Sequence, residues 1–130
     1  MSPRAWRAIA LAAFGGLVVL HLAWHLRLAP PASLPLAFVL GIALGPLLIA
    51  GAAMLVDLRR GLFWAGFFAL AYFSHGIMEA WSTPAIRALA HAEWVLATIL
   101  VVAVGASGLA DLKAARASAT AAAQPPGPAA

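Results

Sequence analysis

Four runs of mainly apolar residues, separated by short breaks, constrain this chain more tightly than any other feature of its sequence. They cover about 5–28, 34–58, 62–81 and 88–112. Each approaches the roughly 20 residues that a helix needs to cross the hydrocarbon core of a bilayer. The breaks have their own chemistry. Pro30-Pro31 stops the first run; Asp57, Arg59, Arg60 and Gly61 form a polar turn after the second; Ser82-Thr83-Pro84 separates the third from the fourth, with Thr83 expected to cap the next helix and Pro84 in its first turn. Inside lipid a segment must satisfy its own backbone hydrogen bonds, which makes helices the expected element. Composition points the same way. Of 130 residues, 65% are hydrophobic and only 9% charged, where a soluble domain carries about 25% charged residues. The expected fold is therefore all-α, an integral membrane four-helix bundle occupying residues 1–113. Residues 114–130, rich in Ala, Ser, Thr, Gln, Pro and Gly, are expected to form a disordered tail.

Positive charge sets the direction of threading. Arg4, Arg7, Arg59, Arg60, Lys113 and Arg116 fall on one side, and only Arg27 and Arg87 on the other. That places both termini in the cytoplasm. Trp6 and Trp64 then lie near the inner interface, and Trp24, Trp81 and Trp94 near the outer one, as an aromatic belt would have them. The N-terminal run reads as a retained span rather than a cleaved signal peptide. It is long, contains two histidines, and meets prolines where a small-residue cleavage site belongs.

The net charge of +4 comes from scattered single residues and pairs, without a basic, aromatic-interleaved face, so no nucleic-acid partner is expected. Cysteine is absent, which removes disulfides, thiolate nucleophiles and Cys-based metal sites. Ser74 precedes His75, but consecutive helical residues do not face one another and make no nucleophile–base pair. No phosphate loop, Gly-x-Ser-x-Gly elbow or His-Glu-x-x-His motif occurs. No enzymatic activity is expected.

Ionisable residues within apolar spans are costly and tend to face a bundle interior or cavity. His21 and His25 share one face of the first helix, and His75 and Glu79 repeat that spacing on the third, continued by Tyr72 and Ser82. His91 shares a face of the fourth helix with Trp94 and Thr98. Glu93 points away from His91, toward Arg87 or the interface. At ~1.5 Å rise per residue, His21 and His75 lie about 5–8 Å from mid-span toward the outer side, and His25 and Glu79 about 11–14 Å.

Three readings of this cluster compete. It is a hydrogen-bonded network fixing helix register, with no cofactor. Or it is a divalent metal site with His21, His25, His75 and Glu79 as ligands and His91 in reserve. Or it binds haem through His21 and His75, with Gly15, Gly16, Gly66 and Gly76 making room. Proton or ion handling is a further use of the same residues. Gly41 and Gly45, at small-xxx-small spacing before Pro46, are expected to pack against another helix, in the bundle or in a homo-oligomer.

The run Tyr72-Phe73-Ser74-His75-Gly76-Ile77-Met78-Glu79-Ala80-Trp81-Ser82, with Trp24-His25-Leu26 ahead of Ala29-Pro30-Pro31, resembles a family of small proteobacterial inner-membrane proteins catalogued as domain of unknown function 2069. The resemblance reaches from the first span into the fourth. It implies a multi-pass, four-helix inner-membrane protein and places His75, Glu79 and Trp81 within the family's pattern. It carries no reaction, ligand or partner. The expected role is that of a non-enzymatic membrane component or accessory subunit of a larger membrane complex, with a metal- or haem-binding protein as the alternative.

Overall fold

The computed structural model, which describes residues 1–123, consists of four long helices joined by short connections. α1 spans Pro3–Ala23, α2 Leu36–Val56, α3 Leu58–Ser82 and α4 Arg87–Ala123. Each is long and apolar enough to cross a membrane. Among the described residues there is no strand. The all-α class and the four spans are as the sequence leads one to expect.

Local chemistry explains where helices start and stop. The Ser2 hydroxyl accepts the Ala5 N–H at 3.2 Å, and Pro3 occupies the first turn of α1. At its other end α1 widens into a π-helical segment, Trp24–Leu28, closed by the Ala29 N–H on the Trp24 carbonyl at 2.8 Å. Ala29 then leaves helical geometry because a residue before proline avoids it.

The connection between α2 and α3 is tighter than the expected polar turn. Asp57 alone departs from the helix, and its carboxylate accepts the N–H groups of Arg59 and Arg60 at 2.9 and 3.4 Å. α3 consequently begins at Leu58 rather than Leu62. Gly61 is a helical residue pressed on Met54, whose backbone a Cβ would strike. Before α4, Pro84–Ile86 form a short 3₁₀ turn. Thr83 caps nothing with its side chain; its hydroxyl donates to Glu79 at 2.8 Å instead.

The largest departure is in the tail. Disorder is expected from residue 114, yet α4 continues through Ala123. Alanine, the strongest helix former, occupies positions 114, 115, 117, 119 and 121–123 and carries the helix onward. The rest of the expected tail, 124–130, lies outside the described residues.

α4 is the central helix: α1 and α3 pack along it, and α2 leans mainly on α3. The contacts are built from small residues, with Ala10, Ala13, Ala65, Ala69, Ala97 and Ala103 all buried. In lipid there is no hydrophobic drive between helices, so close backbone approach must supply the attraction. Many large apolar side chains turn outward; Leu55, Val56 and Trp81 are each 90% exposed.

α3 and α4 come close at Gly76, where an added Cβ would meet the Ala90 carbonyl oxygen and the Trp94 nitrogen, both at 2.9 Å. Gly41 and Gly45 do not play that part among the described residues, none of which lies within 4 Å of a Cβ at either. α2 buries Leu47 and Ala50, a different face from the one these glycines occupy.

At the end where α1 begins, Arg7 donates to both oxygens of Asp111 at 2.9 and 2.8 Å. Arg59 lies 3.2 Å from the same carboxylate. One acidic residue of α4 thereby ties α1 and α3 together and aligns all three helices.

Candidate functional site

Ala90, Glu93, Ala97, Leu100 and Ala103 form the buried face of α4, recurring every three or four residues. That face carries the Glu93 carboxylate, with no exposed surface, into the contact between α1, α3 and α4. From α1, the buried His21 places Nε2 3.3 Å from Glu93 Oε1. From α3, His75 places Nδ1 3.1 and 2.9 Å from the two Glu93 oxygens. A carboxylate is thus held between two imidazoles from two other helices. Gly76 makes this possible, because only a residue without a side chain lets α3 come so near α4 beside His75.

This centre differs from the expected one. Glu93 was expected to face away from the cluster and is its middle. Its direction is opposite to that of His91, and it is His91 that faces outward, accepting the Trp94 indole N–H at 2.9 Å on the exposed side of α4. Glu79 was expected at the centre, but lies one helical turn beyond His75 and accepts from Thr83. The structure therefore brings His21 and His75 together and keeps His25 beside them, its ring centroid 6.0 Å from that of His21. It leaves Glu79 and His91 apart.

The ligand set His21, His25, His75 and Glu79 accordingly does not converge. Among the described residues no group of three or more His, Cys, Asp or Glu side chains is arranged to hold a metal ion. Haem ligation by His21 and His75 meets two obstacles. Both His21 nitrogens are engaged, Nδ1 at 2.8 Å from the Leu17 carbonyl and Nε2 at Glu93. Of the four glycines expected to make room, Gly16, Gly66 and Gly76 face Leu96, Val104 and the α4 backbone with Trp94, whereas a Cβ at Gly15 would meet nothing within 4 Å among the described residues.

A carbonyl only accepts, so His21 Nδ1 carries hydrogen. His21 Nε2 faces the Glu93 carboxylate at 3.3 Å, and His75 Nδ1 donates to its two oxygens. Among the described residues, His75 Nε2 and both nitrogens of His25 have no hydrogen-bond partner; the His75 side chain is 45% exposed.

Two aromatic residues complete the setting. Trp24, expected in an interfacial belt, is buried and stacks on His25 with centroids 5.6 Å apart, and lies 6.1 Å from His75. Its spacing of three from His21 is the sequence signal for this. Tyr72 sits edge-on to His21 at 4.9 Å and donates its hydroxyl to the Ala43 carbonyl of α2 at 2.7 Å. That carbonyl lies just before Pro46, which interrupts the helical ladder.

Over this centre lies a cavity of about 400 Å³ between α1, α2 and α3. His21, His25, Tyr72, His75 and Glu93 form its polar end, and Leu34, Phe38, Val39, Ile42, Ala43, Pro46 and Ala71 its apolar walls. Pockets that hold small molecules have this character, at about 300–1,000 Å³ with a few convergent polar groups in an apolar lining.

A family model described as "Predicted membrane protein (DUF2069)" matches residues 9–107, a stretch that includes every residue of this centre. No curated protein and no solved structure matches the chain.

Proposed function

The chain belongs to this family of predicted membrane proteins, DUF2069, and from that premise we propose that it is a non-enzymatic, multi-pass component of the bacterial inner membrane that binds a lipid-soluble ligand in its lateral cavity. The observation that carries this reading is the cavity itself. It combines apolar walls with a polar floor, in which His75 Nε2 and both nitrogens of His25 have no hydrogen-bond partner among the described residues. A network that served only to fix helix register would have no use for an open chamber above it.

The asymmetry of Lys and Arg supports an orientation with both termini in the cytoplasm. The polar centre then belongs to the periplasmic half of the membrane. A non-enzymatic role is supported by the serines of α3. Ser74 and Ser82 donate to carbonyls of their own helix, Leu70 at 3.0 Å and Met78 at 2.8 Å, and have no base beside them. Assembly with a larger membrane complex fits the many large apolar side chains that face outward, notably on α2.

Native mass spectrometry of the protein released from mild detergent tests the binding reading. The wild type is expected to retain one small ligand per chain. Ala43→Phe, which fills the cavity from α2 without touching Glu93, is expected to lose it at unchanged thermal stability. Equal ligand content in the two proteins, or none in either, would remove the basis for the reading.

A further inference from the structure

We propose that a groove between α3 and α4 holds an anionic phospholipid, with its phosphate on Arg87 and His91 and its acyl chains against Phe73 and Ile77. The groove has a volume of about 570 Å³ and shares no lining residue with the cavity between α1, α2 and α3. It therefore stands or falls independently of the ligand proposed there.

The charge of the groove has one sign. Arg87 is the only Lys, Arg, Asp or Glu in the lining. Among the described residues it makes no ion pair, whereas Arg7 and Arg59 at the opposite end of the bundle share Asp111. Glu79, the acid of α3, accepts from Thr83 and lies outside the lining. A guanidinium stays protonated in proteins. A ligand here meets a permanent positive charge that no side chain of the groove offsets.

Hydrogen bonding agrees. Arg87 Nε donates to the Ala80 carbonyl at 3.0 Å, which fixes the guanidinium against α3. Its two terminal nitrogens have no hydrogen-bond partner among the described residues. An indole N–H can only donate, and that of Trp94 meets His91 Nδ1 at 2.9 Å, so the hydrogen of the neutral His91 ring is on Nε2. Trp81 brings a second indole N–H to the lining. Every polar side chain of the groove thus offers donors, and none offers a free acceptor. A phosphate has the matching charge and accepts in several directions, and a guanidinium with two free nitrogens can meet it as a fork. An ammonium head finds no acceptor in the lining, and a neutral hydroxyl head leaves Arg87 without a counterion.

The depth is that of a lipid phosphate. Ala80, whose carbonyl holds Arg87, stands ten residues from Leu70 at the middle of α3, about 15 Å along the helix. The hydrocarbon core of a bilayer ends roughly 15 Å from its midplane, and head groups begin there. Phe73 and Ile77 line the same groove about 5 and 10 Å from mid-span, so its walls run from the charge into the hydrocarbon. The rings of Phe73 and Trp94 meet edge to face with centroids 6.4 Å apart and make part of that apolar wall. Ile77 is 44% exposed and Trp81 90%, so the groove opens toward lipid. A soluble anion gains nothing from such walls, whereas a phospholipid uses both parts of the site.

The test titrates detergent-washed, full-length protein with dioleoylphosphatidylglycerol, dioleoylphosphatidylethanolamine, dioleoylglycerol and inorganic phosphate, read by native mass spectrometry and calorimetry. The phosphatidylglycerol is expected to bind about tenfold more tightly than each of the others, the difference that one hydrogen bond to a charged group makes. Arg87→Gln is expected to remove the preference, and Arg27→Gln, an exposed cation outside the groove, to keep it. His91→Phe, which leaves Arg87 in place, should weaken the phosphatidylglycerol severalfold at unchanged thermal stability. Equal binding of the two phospholipids, or a preference that Arg27→Gln removes as well, overturns the proposal. A preference that survives Arg87→Gln while the melting temperature falls makes Arg87 a cap of α3 alone and overturns it too. Inorganic phosphate bound as tightly as the lipid would replace the lipid by a soluble anion. Phosphatidylglycerol binding lost in Ala43→Phe would move the lipid to the other cavity, and either result overturns the assignment.

Discussion

Truncating Glu93 would leave a His21 nitrogen and a His75 nitrogen facing a void within the membrane, with no water to replace the carboxylate. A buried polar group deprived of its partner costs about 1–3 kcal/mol, so Glu93→Ala is expected to lower stability by about 2 kcal/mol in a denaturant titration in micelles. Glu79→Gln and His91→Phe, which touch only Thr83 and Trp94, should each stay within about 0.5 kcal/mol of wild type. Equal losses at Glu79 and Glu93 would show that the centre lies elsewhere. At the residue scale, spacing and burial diverge. Spacing places His21 with His25 and His75 with Glu79 correctly on common faces, but it does not say which face of α4 is inward. The chemically conspicuous His91 suggested one answer. The alanines at 90, 97 and 103 mark the opposite face, because small residues are what helices in lipid pack upon, and Glu93 belongs to that series.

Glycine has a comparable ambiguity at the scale of helices. Gly41 and Gly45 have the familiar spacing but meet nothing, whereas Gly76, inside an ordinary apolar run, is the point where α3 and α4 nearly touch. A motif records that close approach is possible; only the arrangement of neighbouring helices decides where it is used. Gly76→Ala is expected to push α3 from α4 and cost about 1–3 kcal/mol, with the stability gained from the His75–Glu93 pair lost as well. Gly45→Ala should leave the stability of the monomer in micelles unchanged. A double-mutant comparison of Gly76→Ala with Glu93→Ala, by thermal unfolding, checks the link: the two effects should be less than additive. The spans themselves were legible, since hydropathy and proline are strong local signals. The start of α3 was not, because one aspartate capping two N–H groups replaces a turn of several residues. Nor was the extension of α4, where alanine content favours helix and the presence of Ser, Thr and Pro suggested disorder.

At the scale of the whole molecule, three helices are locked by Asp111 at one end and by Glu93 toward the other, while α2 leans on α3 and leaves the chamber beside it. In the proposed orientation the Asp111 end lies in the cytoplasm. A reporter fused after residue 130 should therefore be active only in its cytoplasmic form, and periplasmic activity would invert the topology and move the polar centre to the opposite leaflet. The central claim, that the chamber between α1, α2 and α3 holds one particular lipid-soluble molecule, is tested most directly by photo-crosslinking in native membranes. With a photoreactive phenylalanine at position 39, on the cavity wall, one adduct of a single defined mass should dominate. At position 55, on the outer surface of α2, the adducts should follow the mixture of bulk phospholipids. The same phospholipid mixture at both positions would contradict the account.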